Sequence, residues 1–263
     1  MFHSYRIGGA LSLALAVAPA LALGGCETAS WFEPGETLSK EIISTSLSSA
    51  ASSAESSGDF RSAMGHYRTL YERSPKDRAL ALKLARAMRL AGEVRQAATL
   101  LEQFNRTNGA DGDSRVELAK AYMASDQLAL SKRNLAEART LAPKNWEVPS
   151  LLGVIHDYEG DSATARVHYD IALALSPDNP NILNNLGLSM AMAGDLDGAI
   201  DVLHKAKDQV GASPHIRQNL ALLLAMKGDV AGAERFSRKD MSPDMIRANL
   251  RYFRALADGA KNY

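Results

Sequence analysis

In 263 residues, 30 lysines and arginines balance 30 aspartates and glutamates, and no long run of like charge appears. That balance excludes the basic stripe with which a nucleic-acid binder neutralises several phosphates. A single cysteine, Cys26, excludes an internal disulfide framework and any multi-cysteine metal site.

Residues 1–25 have the parts of an export signal: a basic start at Arg6, an apolar run from Ala10 to Leu23, and small residues before a cleavage point. The segment Leu23-Gly24-Gly25-Cys26 resembles the bacterial lipobox. That resemblance implies removal of residues 1–25, a diacylglycerol on the Cys26 sulfur and an acyl chain on its new amino terminus. The competing reading is a plain membrane anchor, because Ile7 to Gly25 approaches the lower length limit for a span. Gly8, Gly9, Pro19 and the two glycines before Cys26 weigh against it. Two or more acyl chains anchor stably where a single chain does not. In bacterial lipoproteins an aspartate after the cysteine commonly marks inner-membrane retention. This chain has Glu27 there, which implies an outer-membrane protein facing the periplasm. No other cofactor and no metal is expected.

Residues 26–43 read as a lipidated N-terminus and tether, with Pro34, Gly35 and no usable periodicity. The adjacent Trp31 and Phe32 either dip into the lipid interface or a partner, or pack on the element that follows.

From residue 44 to residue 241 one pattern recurs without insertion or deletion. Six 34-residue units start at Ser44, Arg78, Gly112, Trp146, Pro180 and Pro214. The clearest, PNILNNLGLSMAMAGDLDGAIDVLHKAKDQVGAS from Pro180, reads as two short amphipathic helices joined at Gly194-Asp195. Position seven holds Ala50, Leu84, Leu118, Leu152, Leu186 and Leu220, which fill the space between the two helices. Position eight is always small (Ala51, Ala85, Ala119, Gly153, Gly187, Ala221), so that the helices can approach. Position fifteen ends the first helix at Gly58, Gly92, Asp126, Gly160, Gly194 and Gly228. These features identify the tetratricopeptide repeat, whose period is 34 residues. The expected fold is therefore all-α: a right-handed α-solenoid of about six helix-turn-helix repeats, closed by a capping helix over residues 242–263. Repeat one is the weakest, because its first helix, Ser44 to Ser57, carries eight serines and depends on packing by Ile42, Ile43, Leu47, Ala50 and Ala54. In the cap, Ser242 is the expected N-cap, Met241 staples against Ile246, and Ile246, Leu250, Phe253 and Leu256 share a face.

The resemblance also implies where partners bind, since positions two, five, nine, twelve and thirteen of each first helix line the concave side. Here these give Arg86, Arg89 and Lys120 at one end. Further along they give Glu147, Asp157, Tyr158, Asn181, Asn184, Leu188, Met192, Gln218, Leu222 and Met226. Charges at one end and adaptable methionines at the other suit a peptide or helix laid along the channel. Alternatively Leu188, Met192, Leu222 and Met226 pack against neighbouring helices and touch no ligand. The basic clamp that binds chaperone tails is not reproduced, because position five of the first three repeats is Ser48, Leu82 and Val116.

An enzymatic reading finds little to rest on. The six histidines include no pair three to five residues apart, and neither a nucleophile elbow nor a phosphate-cradling glycine loop is present. His156 and His168 fall at positions eleven and twenty-three of one repeat and read as core or surface residues.

The segments NNLGLSMAMAGDLDGAI, SPHIRQNLALLLAMKGDVAGAE and IRANLRYFRALA resemble the C-terminal part of TadD-type lipoproteins of the tight-adherence (Flp) pilus system. The likeness spans about Asn181 to Ala257, whereas Ser44 to Asn145 matches only the generic repeat. It implies a pilotin-like assembly factor that helps a secretin reach or multimerise in the outer membrane. A periplasmic adaptor for cell-wall hydrolases or for outer-membrane protein assembly fits the same features.

Overall fold

The computed structural model describes the backbone of residues 34–240, 242, 244–246, 248–249 and 251–252, and side chains from residue 41 onward. The expected signal peptide, Cys26, Trp31 and Phe32 lie outside the described residues. The described residues from 42 onward form one compact unit. Among the described residues no helix is long and apolar enough to cross a membrane.

Among the described residues twelve unbroken helices follow one another, before the helical residues at the far end: α1 (Pro34–Ser56), α2 (Phe60–Arg73), α3 (Arg78–Leu90), α4 (Val94–Asn108), α5 (Gly112–Ala124) and α6 (Leu128–Leu141). They continue as α7 (Glu147–Tyr158), α8 (Ser162–Leu175), α9 (Pro180–Met192), α10 (Leu196–Lys207), α11 (Pro214–Met226) and α12 (Val230–Ser237). Odd and even helices pair as hairpins, each hairpin stacks on the next, and the odd helices α3, α5, α7, α9 and α11 also touch in succession. The result is an α-solenoid. Its core is a row of linked clusters, each shared between neighbours, with Tyr67, Leu84, Leu101, Leu135, Tyr169 and Leu203 fully enclosed. No repeat buries its apolar face alone, so stability depends on stacking.

The hairpin turn has one recurring chemistry. Gly194 takes a left-handed φ of 92°, which ends α9, and Asp195 then accepts a 3.0 Å hydrogen bond from the Gly198 N–H at the start of α10. Asp59, Asp161 and Asp229 cap α2, α8 and α12 in the same way. Repeat three departs from this pattern: Asp126 is forced to a φ of 61°, and Gln127 provides no side-chain cap for α6. A left-handed aspartate is mildly strained, and an uncapped N-terminus leaves backbone donors without a side-chain partner. Converting Asp126-Gln127 to Gly-Asp should therefore stabilise the protein by about 1 kcal/mol. Chemical denaturation of the double variant checks this, and unchanged stability would show that the turn is not limiting.

The structure corrects two expectations at the start of the array. The first helix is longer than expected: α1 begins at Pro34, ten residues before the expected start, so residues 34–43, read as lacking periodicity, are helical. Proline suits a first helical position, where its missing N–H would be unpaired anyway. Second, Ile42 and Ile43 do not help pack this helix: they are 58% and 44% exposed. Leu47, Ala51 and Ala54 face the first cluster instead.

At the far end, residues 244–246, 248–249 and 251–252 are helical. The Ser242 hydroxyl accepts from the Met245 N–H at 3.4 Å, and Ile246 is buried. The Met241 side chain, Leu250, Phe253 and Leu256 lie outside the described residues.

Candidate functional site

On the face made by the odd helices, α3, α5, α7 and α9 enclose an open cleft of about 640 Å³. Arg86, Arg89, Lys120, Glu147 and Asn181 line it, all of them positions assigned to the concave side from the sequence. They meet because positions two, nine and twelve recur on neighbouring helices that stack in register. Leu90, Met123, Ala124, Trp146 and Leu151 complete the cleft as apolar walls. Sequence reasoning did not single these out, although Trp146 was visible as the first residue of its repeat.

A chain of opposite charges crosses the floor. Arg89 Nε donates to Glu117 Oε1 at 2.8 Å, Lys120 Nζ lies 3.5 Å from Glu117 Oε2, and Lys120 also pairs with Glu147. Glu117 is buried among them. Arg89 and Lys120 thus have partners, while exposed Arg86 has no ion pair among the described residues. The cleft is left with an uncompensated positive charge beside apolar walls. It can take a segment that offers a carboxylate and an adjoining apolar side chain.

The remaining candidates do not join this cleft. Asp157 is committed internally: Oδ2 accepts from the Tyr169 hydroxyl and Oδ1 from the Ser189 hydroxyl, both at 2.6 Å. A position-twelve acid in a repeat with tyrosine at position twenty-four becomes a structural acceptor, and Glu55 does the same for Tyr67 at 2.8 Å. Asn184 Oδ1 accepts from Asn219 Nδ2 at 2.8 Å and ties two repeats together. Gln218 Oε1 lies 3.3 Å from His215 Nδ1. Leu188 and Leu222 are half-buried, whereas Tyr158, Met192 and Met226 are exposed at the ends of α7, α9 and α11.

His156 and His168, twelve residues apart, are brought together as stacked rings 5.2 Å between centroids. Burial, and then the neighbouring His156, lowers the His168 pKa below its ordinary 6.5. Among the described residues no group of three or more His, Cys, Asp or Glu side chains converges on a metal position.

Two family models described as tetratricopeptide repeat match residues 54–111 and 150–214. Over 57 residues the chain is 42% identical to a probable biofilm formation methyltransferase, WspC, of Pseudomonas putida; this covers 22% of the chain and only 13% of that protein. Among solved structures, a thermophilic TPR protein of Thermus thermophilus matches with a TM-score of 0.62 at 20% identity, over 69% of this chain and 98% of that one. The pilF structure of Pseudomonas aeruginosa matches with a TM-score of 0.52 at 17% identity, over 70% of this chain and 88% of that one. At such identities the structural likeness speaks for the fold alone. Stacked helical hairpins, repeating at the tetratricopeptide spacing and matched by both family models, make this chain a tetratricopeptide-repeat protein.

Proposed function

We propose that this chain is a non-enzymatic, protein-binding assembly factor that holds an acidic, partly apolar segment of its partner in the cleft on α3, α5, α7 and α9. Tetratricopeptide arrays present extended concave surfaces to protein partners. The observation that carries the reading is the juxtaposition of unpaired Arg86 with the apolar walls Leu90, Trp146 and Leu151. The resemblance of residues 181–257 to TadD-type lipoproteins supplies the finer reading: a pilotin-like factor for a tight-adherence pilus, with a secretin or another pilus-assembly component as partner. The Leu23-Gly24-Gly25-Cys26 segment supports lipid attachment at Cys26 and placement on the outer membrane, facing the periplasm.

Two measurements test this. Arg86→Glu should weaken capture of the partner secretin by about tenfold or more, with helicity unchanged because the Arg86 side chain is exposed and in no ion pair among the described residues. Undiminished capture would remove the cleft from the function. Replacing Cys26 with alanine should abolish palmitate labelling, release the protein from membranes and lower the yield of heat-resistant secretin multimers. Persistent labelling would end the lipid assignment, and normal multimers in a strain lacking the protein would reject the pilotin role.

A further inference from the structure

Positions twenty-two and twenty-six of each unit lie about one turn apart on the second helix of the hairpin. In five of the six repeats they hold only glycine, threonine, glutamine or charged residues. Repeat four breaks that pattern with Val167 and Ile171, and Leu175 follows one turn later. α8 packs on α7 and α9 and makes its core contacts through Ala165, Tyr169 and Ala172. Val167, Ile171 and Leu175 take no part in that packing and are 57%, 47% and 39% exposed. Exposed Ala163 and Ala174 extend the stripe along the helix, and their small side chains let another helix come close. An apolar stripe of this kind on a folded surface marks a contact site.

The charges beside the stripe indicate what covers it. Arg166 and Asp170 lie along one edge and pair with each other at 3.2 Å. Both are more than half exposed, so that pair is worth little and exchanges readily. The other edge, Ile171 and Leu175, continues into a mostly apolar pit of about 90 Å³ lined by Pro143, Val148, Pro149 and Leu152. This pattern complements itself when reversed. If a second α8 lies antiparallel on the first about a twofold axis, Val167 of each copy opposes Ile171 of the other, and apolar edge meets apolar edge. Arg166 then comes beside Asp170 of the other copy, offset by two residues or about 3 Å along the axis. The match occurs twice, as an isologous interface requires. A parallel pairing would instead set Arg166 against the Leu175 edge. With 30 basic and 30 acidic residues, the chain also brings no net repulsion to a second copy.

We propose that the outer face of α8 is a self-association surface whose occupant is α8 of a second copy of this chain, antiparallel about a twofold axis. A face built on one helix of 14 residues lies at the low end of specific interfaces, so the association is weak and reversible. The surface is separate from the cleft on the odd helices. A dimer therefore presents two clefts at once, and a partner that repeats its binding segment is held by both.

Sedimentation equilibrium of the full-length protein in neutral detergent should show a monomer–dimer equilibrium with Kd on the order of micromolar. Arg166→Glu places a second acid beside Asp170 of the other copy, and Asp170→Arg places two arginines together. Each variant alone should dimerise at least about tenfold more weakly. Mixed in equal amounts, the two variants should pair with each other at close to the original affinity, because opposite charges then meet at both contacts. Val167→Thr with Ile171→Gln installs the residues that repeat two carries at these positions, Thr99 and Gln103. It should abolish the dimer with helicity and thermal midpoint unchanged, since both side chains are exposed. A protein still monomeric at about 200 μM, a dimer that survives the Thr-Gln change, or charge variants that fail to complement each other would overturn the proposal. So would a monomer whose binding to anionic phospholipid vesicles requires Val167 and Ile171, which would assign this face to a membrane.

Discussion

Replacing Tyr169 with alanine should destabilise the protein by about 3–5 kcal/mol, the range for deleting a fully enclosed aromatic side chain. The ring is 1% exposed and fills the space among α7, α8 and α9, and its hydroxyl is held by Asp157, which is in turn held by Ser189 of the next repeat. Alanine therefore leaves a cavity and also strips one oxygen of Asp157 of its donor. The two effects separate in Tyr169→Phe, which keeps the ring and should cost only about 0.5–1.5 kcal/mol. Equilibrium denaturation of both variants is the measurement. A phenylalanine variant as unstable as the alanine one would mean that the hydrogen-bonded link between repeats, rather than the filled volume, holds this junction. The pH dependence has a defined sign. Burial, with Asp157 as the second cause, raises the Tyr169 pKa above its ordinary 10. A raised pKa in the fold stabilises the protein fully below pH 10, and the contribution is lost as the pH climbs above it. Tyr169→Phe should flatten the alkaline limb of the stability profile.

Gly153→Ala should be the most damaging single-methyl addition in this hairpin, by about 1–3 kcal/mol. A Cβ at Gly153 would lie 2.7 Å from Tyr169 Cε1 and 2.8 Å from Cζ. Alanine favours a helix over glycine by up to about 1 kcal/mol, but the ring cannot swing aside while Asp157 holds its hydroxyl, so the clash prevails. The array suggests the remedy. Repeats two and three carry Ala85 with Leu101 and Ala119 with Leu135 at the same two positions, all fully packed. Gly153→Ala with Tyr169→Leu should therefore recover stability relative to the sum of the single changes, with a favourable coupling of about 1–2 kcal/mol. Repeat one keeps Tyr67 beside Ala51, with both fully enclosed. Both rings are anchored by a position-twelve acid, Glu55 in repeat one and the shorter Asp157 in repeat four, so the conflict in repeat four is local and is not a general incompatibility of tyrosine with alanine. Strictly additive losses would show that the two positions do not compete for space.

The all-α repeat fold was legible in the sequence, because it is written in local backbone chemistry. A glycine that ends one helix and an aspartate that starts the next act within a few residues of themselves, and a small residue at position eight acts within its own hairpin. Pro34 was misread for the same reason: one proline can either break or begin a helix, and the sequence around it lacks the periodicity that would decide. Which groups stand together was a different matter. Arg86, Lys120 and Glu147 sit on three separate helices and become one cleft only when repeats stack in register. Asp157 read as a groove residue from its position number, and it turned inward because Tyr169 and Ser189 reach it from two other helices. Spacing along the chain therefore determined the repeat, and stacking decided which side chains were consumed within the array and which remained free to bind.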